Sequence, residues 1–315
     1  MADQVNDTAP PSKSPSSSSA YYKSLVRKKK IALGRPVSPT PSELARGNEE
    51  DMEPDATVLS NVYGAGRLIT LHPGKGDQEG TVVLKKAGQQ VRFGELDALR
   101  VAAAGGVPVP EAYGSGETTA GGRFRITMQY MADTQTLADV WPGLTHAEKT
   151  GYARQLRAIL TTMRAIPPPP DGYIGACDGK EIRDGRVYDT YRGPVCHGEA
   201  AFKEYLLSCL HAHIPAVMRD AYAQRLAQQK PHRTVLTHGD LAPRNILVRD
   251  RDKAIVALVD WEDAGWYPEY WEYVKLFQRM AAMERDWPSY AADIFPQLYP
   301  DELVDYEALS RWQRS

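Results

Sequence analysis

The chain has 315 residues, with 38 basic and 40 acidic side chains, 42% hydrophobic residues and three cysteines. That composition describes an ordinary globular protein of one large domain or two lobes. A formal net charge of −2 argues against a nucleic-acid partner, which would draw on a basic face. No apolar run approaches the ~18 residues that suggest a membrane span. Asp3, Asp7 and the lack of an apolar segment near the start fit neither a secretory nor a transit signal. Cys177, Cys196 and Cys209 form no CxxC pair, so neither a disulfide framework nor a thiolate zinc site is expected. These features predict a protein of the reducing cytoplasm.

Residues 1–55 hold Pro10, Pro11, Pro15, the run Ser16 to Ser19, Pro36, Pro39 and Pro41 among few large apolar residues. Such a segment buries too little surface to offset its ordering entropy, and disorder is expected. It carries a basic block from Lys23 to Arg35 and an acidic one from Glu49 to Asp55, both read as solvated charge. From Thr57 onward, short apolar runs broken by glycine predict strands at Val58–Val62, Arg67–Leu71 and Thr81–Lys86. Leu96, Leu99, Val101 and Ala102 are spaced for a helix, which Gly105, Gly106 and Pro108 stop. A short strand around Glu111–Tyr113 and another at Phe124–Tyr130 complete a small, mostly antiparallel sheet carrying one helix. Helices are then predicted at His146–Ala165, Glu199–His213 and Pro215–Gln228. The strands Thr234–Thr237, Ile246–Val248 and Ile255–Asp260 follow, with helices from there to the end.

Chemistry concentrates in the segment Leu236 to Val248. Two strand-like flanks enclose a polar loop in which Asp240 and Asn245 stand five residues apart. Twenty residues after Asp240, an apolar strand ends on Asp260, followed by Trp261 and Glu262. Two carboxylates and an amide can orient a hydroxyl nucleophile and hold Mg²⁺, a hard cation that takes oxygen ligands. Taken alone, Asp240 could equally be a turn or cap residue and Asp260 an Asx turn.

His238-Gly239-Asp240-Leu241-Ala242-Pro243-Arg244-Asn245 followed by Val259-Asp260-Trp261-Glu262 resembles the catalytic and metal-binding motifs of the aminoglycoside phosphotransferase family, which has a protein-kinase-like fold. The continuation from Ala264 to Tyr273 is similar to phosphotransferase-domain proteins common in fungi. The resemblance spans residues 57 to 300. It implies an α+β fold with a small antiparallel β-rich N-lobe at residues 56–131, forming the nucleotide cradle, and a larger, mainly α-helical C-lobe at 132–315. It also implies that Asp240 orients the attacking hydroxyl, that Asn245 and Asp260 hold Mg²⁺ on ATP, and that His238 and Arg244 support the loop. Alternation in Thr81–Lys86 puts Val83 and Lys85 on one face, like the kinase strand whose lysine reaches the nucleotide phosphates. Glu95 matches the glutamate that pairs with that lysine, or else is a carboxylate favoured by a helix N-terminus. Gly64 and Gly66 offer only a reduced phosphate loop, or a hairpin turn. Gln129 and Met131 fall at the linker between lobes, where adenine would bind.

Other frames fail. Gly74-Lys75-Gly76 lacks the remainder of a Walker A loop, no G-x-S-x-G occurs, and His211 and His213 are read as residues of a helix face. The short passage from Asp260 to Pro268 leaves no platform for a peptide, so the expected acceptor is a small hydroxylated molecule. Nine acidic residues between Glu269 and Glu307 would suit a cationic acceptor if they lined the cleft, and otherwise form a solvated surface. The expected activity is ATP-dependent transfer of the γ-phosphoryl group to a small-molecule hydroxyl. The alternative is a catalytically inactive, kinase-like nucleotide-binding or scaffold protein.

Overall fold

The computed structural model describes residues 56–62, 67–76, 82–87, 91–92, 94–117, 124–185, 190–278 and 286–313. The predicted disorder of residues 1–55 and the glycines Gly64 and Gly66 lie outside them. Strands β1 (Thr57–Val62), β2 (Arg67–Pro73) and β3 (Val82–Ala87) are followed by helix α1 (Gly94–Ala104) and strands β4 (Ala112–Glu117) and β5 (Phe124–Gln129). The five strands form one antiparallel sheet in the order β1-β2-β3-β5-β4. Helix α1 buries Leu96, Ala98, Leu99 and Ala102. It ends where Gly106 takes φ 79°, so that the Gly106 and Val107 N–H groups donate back to Ala103 and Ala102 at 3.0 Å. This paired closure satisfies carbonyls that the helix end leaves open, and the left-handed position is one that glycine occupies without a Cβ penalty.

The second part of the chain contains β6 (Gln135–Thr136), α2 (Leu137–Val140), α3 (His146–Ala165), β7 (Tyr173–Ala176), β8 (Ile182–Gly185), β9 (Thr190–Gly193) and β10 (Cys196–His197). It continues with α4 (Glu199–Ser208), α5 (Ala216–Gln228), β11 (Thr234–Thr237), β12 (Ile246–Arg249), β13 (Ala254–Leu258), β14 (Gly265–Pro268), α6 (Trp271–Leu276), α7 (Ala291–Ile294) and α8 (Pro300–Ser310). Thr145 and Glu148 close α3 with a reciprocal capping box. Tyr152, Ala153, Leu156, Leu160 and Met163 form its buried stripe, at helical spacing. The helix stops before Pro167 to Pro170, as predicted.

Several sequence expectations change here. The strands at 234–237 and 246–248 do not pair with each other: β11 pairs with β14, and β12 pairs with β13 and β6. Strand β14 interrupts what was expected to be wholly helical chain. Helix α4 ends at Ser208, five residues early, so His211 and His213 lie beyond it in a tight bend and not on a helix face. The carboxylate of Asp260 is not at a strand end, because β13 stops at Leu258. The core is rich in aromatic rings: Trp141, Trp261, Trp271, Tyr267 and Phe202 are all fully buried.

Charge is also built into this interior. Lys275 on α6 donates to Asp184 Oδ1 at 2.7 Å and to the Gly185 carbonyl, while Tyr306 on α8 donates to Asp184 Oδ2 at 3.0 Å. The Lys275 and Asp184 side chains are 2% and 0% exposed. Asp184→Ala strands an ammonium group in the interior and is expected to lower the unfolding free energy by about 3–5 kcal/mol. The shift of the urea midpoint, at unchanged slope, measures it.

Candidate active site

Strand β11 delivers the polar loop. After Thr237 the chain leaves the sheet and turns at Gly239, where φ is 81°. A Cβ there would stand 2.6 Å from the Asp263 carbonyl oxygen, so both conformation and space call for glycine. Asp240 follows and is 9% exposed. Its carboxylate accepts from Arg244 Nη2 at 2.6 and 2.8 Å and from Asn245 Nδ2 at 3.0 Å. The same amide nitrogen donates to the Asp240 carbonyl at 2.8 Å. Residues Pro243–Asn245 form a single 3-10 turn, which Pro243 favours through its fixed φ. The five-residue spacing thus folds back on itself and sets the Asn245 amide against Asp240.

The second motif is locked to the first through Val259. Its carbonyl contacts His238 Nε2 at 3.0 Å, and its N–H donates to the Asn245 carbonyl at 2.9 Å. His238 is itself fully buried and packs against the Trp261 ring at 4.7 Å. Asp260 then takes the left-handed conformation, φ 66° and ψ 59°, unusual for a residue with a Cβ. This turn presents the carboxylate beside two others: oxygens of Glu95, Asp260 and Glu262 all lie within 4.8 Å of one another. Glu95 comes from α1, where it is 2% exposed.

These groups share a cavity of about 660 Å³. Leu59, Ile69 and Met128 border it from the sheet, Gln129, Tyr130 and Met131 from the connecting segment, and Leu247 and Val259 from below. Glu95, Arg244, Asn245 and Asp260 supply its charged and polar side. Thr134, Gln135, Thr136 and Asp139 also line it, and a cavity with both apolar walls and charged groups suits a ligand that has an apolar part and a charged part.

Of the residues singled out in the sequence, Asp240, Arg244, Asn245, Asp260, Glu95, Gln129, Met131 and His238 come together around this cavity and its supporting loop. Val83 is buried in β3 opposite Gln129. Lys85 stands in β3 between Thr70 and Thr127; its side chain lies outside the described residues. Gln129 gives its side-chain oxygen to the Glu111 N–H at 3.3 Å. Among the described residues, none of the acidic side chains from Glu269 onward borders the cavity. Glu269 pairs with Arg233, Asp286 with Lys149, Asp301 and Asp305 with Arg225, and Glu302 with His232. These five fasten helices and loops together, with Asp301 still 80% exposed. A larger cavity, about 920 Å³, lies at the ends of α1 and α3. Its hydroxyls Thr161, Thr162 and Tyr173 already donate to backbone carbonyls.

One member of the site was not anticipated. Glu272, on α6 and 2% exposed, accepts from the His238 N–H at 2.5 Å and the Gly239 N–H at 3.2 Å. Burial pushes its carboxyl up from the ordinary carboxylate range, with the His238 ring and the two N–H bonds pulling the other way. The signal in the sequence was a lone carboxylate inside a run of large apolar residues, Trp271 to Leu276. Glu272→Ala leaves two buried N–H groups without their acceptor and is expected to cost roughly 2–4 kcal/mol. Glu272→Gln keeps one acceptor oxygen and should cost less. Faster amide hydrogen exchange at His238 and Gly239 in the alanine variant, above the glutamine variant, checks the assignment.

The sequence profile described as the phosphotransferase enzyme family matches residues 75–309. No match is found among curated proteins. Among solved structures, the apo form of a thermostable mutant of aminoglycoside phosphotransferase APH(4)-Ia is 15% identical, covering 81% of this chain and 84% of its own, with a TM-score of 0.55. A ternary complex of that mutant enzyme with ADP and hygromycin B is 15% identical over 81% of this chain and 83% of its own, with a TM-score of 0.51. Aminoglycoside-3'-phosphotransferase of type VIII is also 15% identical, over 82% and 94%, with a TM-score of 0.51. At such identities the likeness is one of fold: the two-lobed α+β arrangement that aminoglycoside phosphotransferases share with protein kinases.

Proposed function

The chain belongs to the phosphotransferase enzyme family, and from that premise we propose that it transfers the γ-phosphoryl group of ATP to a hydroxyl of a small molecule, assisted by Mg²⁺. The observation that carries this reading is the meeting, on one cavity, of Asn245 and Asp260 with Glu95 from the first lobe, beside the carboxylate of Asp240. The residue roles agree with that chemistry. Asp240, held by two side-chain donors, orients the acceptor hydroxyl and receives its proton. Asn245 and Asp260 hold the metal. Glu95, Asp260 and Glu262, with oxygens inside 4.8 Å of one another, and Asn245 beside them offer the hard oxygen donors that Mg²⁺ takes. When bound, Mg²⁺ neutralises charge on the β and γ phosphates.

His238 and Arg244 brace the loop. Lys85 of β3 is the residue assigned to the nucleotide phosphates, and Glu95 on α1 stands at the charged end; Gly64 and Gly66 lie outside the described residues. Leu59, Ile69, Met128, Leu247 and Val259 give the adenine its apolar walls, with Val83 behind and the backbone of Gln129 to Met131 at the edge. The nucleotide cradle is accordingly residues 56–131 and the catalytic part 132–315. Because the protein makes no covalent intermediate in such a transfer, its contribution is positioning and electrostatics. A small acceptor, and not a peptide, fits the passage from Asp260 through a 3-10 turn and β14 directly into α6.

Titrating Mg·ATP calorimetrically into the wild type is expected to give micromolar-range binding that Asp260→Ala abolishes and EDTA weakens. Absence of binding in the wild type would overturn the proposal and leave a scaffold protein. Asp240→Asn should retain Mg·ATP affinity and lose about 10²-fold or more in turnover, measured as ADP formation across a panel of small alcohols and amino sugars.

A further inference from the structure

We propose that Asp178 is a positioning residue for the phosphotransfer site: from the second lobe its carboxylate holds the first turn of α1, and through that turn it sets Glu95 against Asp260 and Glu262. This rests on the phosphotransfer reading above and deepens it with a residue that belongs neither to the two motifs nor to the cavity wall. Glu95 is the second residue of α1, directly after Gly94. A Cβ on Gly94 would stand 3.3 Å from Asp178 Cγ and 3.4 and 3.5 Å from its two oxygens. The helix therefore begins against that carboxylate, and the missing side chain lets the two come so close. The Asp178 side chain is 14% exposed. Among the described residues its hydrogen-bond and ion-pair partners are both groups of Lys180: the N–H donates to Oδ1 at 3.2 Å, and the ammonium lies 3.4 Å from Oδ2. The first N–H groups of a helix have no partner within it and make that end positive, so a carboxylate beside them attracts the start of the helix.

The place of Asp178 is fixed independently of α1. It sits in the turn between β7 and β8, where Gly179 takes φ 69° and donates its N–H to the Ala176 carbonyl at 2.9 Å. The Tyr173 hydroxyl reaches the carbonyls of Ala176 and Cys177 at 3.1 and 3.2 Å and holds the same turn. Strand β7 pairs with β14, Ala176 opposite Gly265, and β14 begins just after the turn Trp261–Asp263. One sheet thus carries both the Asp178 turn and the turn that follows Asp260. The two meet the first turn of α1 together, Asp178 at Gly94 and Asp260 with Glu262 at Glu95. At the far end of the helix a Cβ on Gly105 would collide with the side chain of Ile166, the residue that closes α3. Helix α1 follows the first three strands in the chain, yet it is seated on the second lobe at both ends. Asp178 is the charged member of that seat, and it lies one residue from the carboxylate that the site needs in place.

Calorimetric titration of ADP, once with Mg²⁺ and once with EDTA, reads the effect, because Glu95 stands at the metal-binding end of the cavity and the apolar walls do not depend on it. Asp178→Asn keeps an acceptor for the Lys180 N–H and loses the charge. It is expected to bind ADP in EDTA within about twofold of wild type and Mg·ADP about three- to tenfold more weakly. Glu95→Gln should also weaken Mg·ADP binding, and adding Asp178→Asn to it should cost nothing further, since a residue that acts through another is not additive with it. A residue that only shapes its own turn predicts otherwise. Unchanged Mg·ADP affinity in either single variant, equal loss with Mg²⁺ and with EDTA, or full additivity in the double variant overturns the proposal. Thermal unfolding of each variant establishes that it is folded. If Asp178→Asn is not, Gly94→Ala decides, because it places a methyl group in the same contact from the helix side: a loss confined to Mg·ADP supports the proposal, and any other pattern overturns it. A wild type that binds no nucleotide is a separate result, which removes the phosphotransfer reading and this proposal with it.

Discussion

Where the chain leaves β11, the backbone gives up its sheet partners while still inside the protein, and the N–H groups of His238 and Gly239 need an acceptor that water does not supply. Glu272 is that acceptor. A buried unpaired N–H is costly, and a carboxylate serving two of them fixes the direction of the chain at that point. The rest of the site follows from this anchor. His238, fixed by its backbone, reaches the Val259 carbonyl; Val259 in turn holds Asn245 and places Asp260. Asp240, Asn245 and Asp260 are thus three outputs of one backbone arrangement, rooted in a helix that touches none of them through the cavity.

Around that root the interior uses ions as well as apolar packing. Arg183 meets Asp263 at 3.3 Å with both side chains buried, and its backbone exchanges hydrogen bonds with the Tyr267 hydroxyl. Lys275 and Asp184 form the neighbouring pair. Replacing such pairs by apolar residues often leaves stability unchanged, whereas removing one half is destructive. Their effect here is geometric. Strand β8, carrying Arg183 and Asp184, is held to the turn after Asp260 on one side and to α6 on the other, so the short β8-β9 ribbon and the turn that carries Asp260 share one framework.

What the amino-acid order made legible was the part governed by local rules. The strands of the first sheet, the α1 helix with its glycine stop, the capped α3 helix and the spacing of Asp240, Asn245 and Asp260 all depend on residues close in the chain. The pairing of β11 with β14 was not legible, because Gly265-Trp266-Tyr267-Pro268 is buried at every position and shows no alternation to distinguish strand from helix. Strands β7 to β10 are only two to four residues long, and β7 gains its partners from β10 and from the distant β14. Glu272 was invisible for a related reason: a carboxylate in an apolar helix reads as an exposed face until the loop it serves is known. The acidic residues beyond 269 misled because sequence does not tell a free carboxylate from a paired one.

The strand β6 carries a mechanical consequence. Gln135 and Thr136 pair with Val248 and Leu247, so the chain is riveted to the β12-β13 hairpin almost as soon as it leaves the first sheet, and at Gln129 it is still held by β3 and by the Glu111 carbonyl. The backbone is tied a second time where the Leu258 N–H donates to the Pro108 carbonyl at 2.8 Å, and between the attachments at Gln129 and Gln135 lie only the residues Tyr130 to Thr134. That span already contains Asp133 at φ 55° and a Thr134 hydroxyl bonded to the Met131 carbonyl. Three of those five residues, Tyr130, Met131 and Thr134, also border the cavity, so the short piece of chain that joins the first sheet to β6 is at the same time a wall of the cavity.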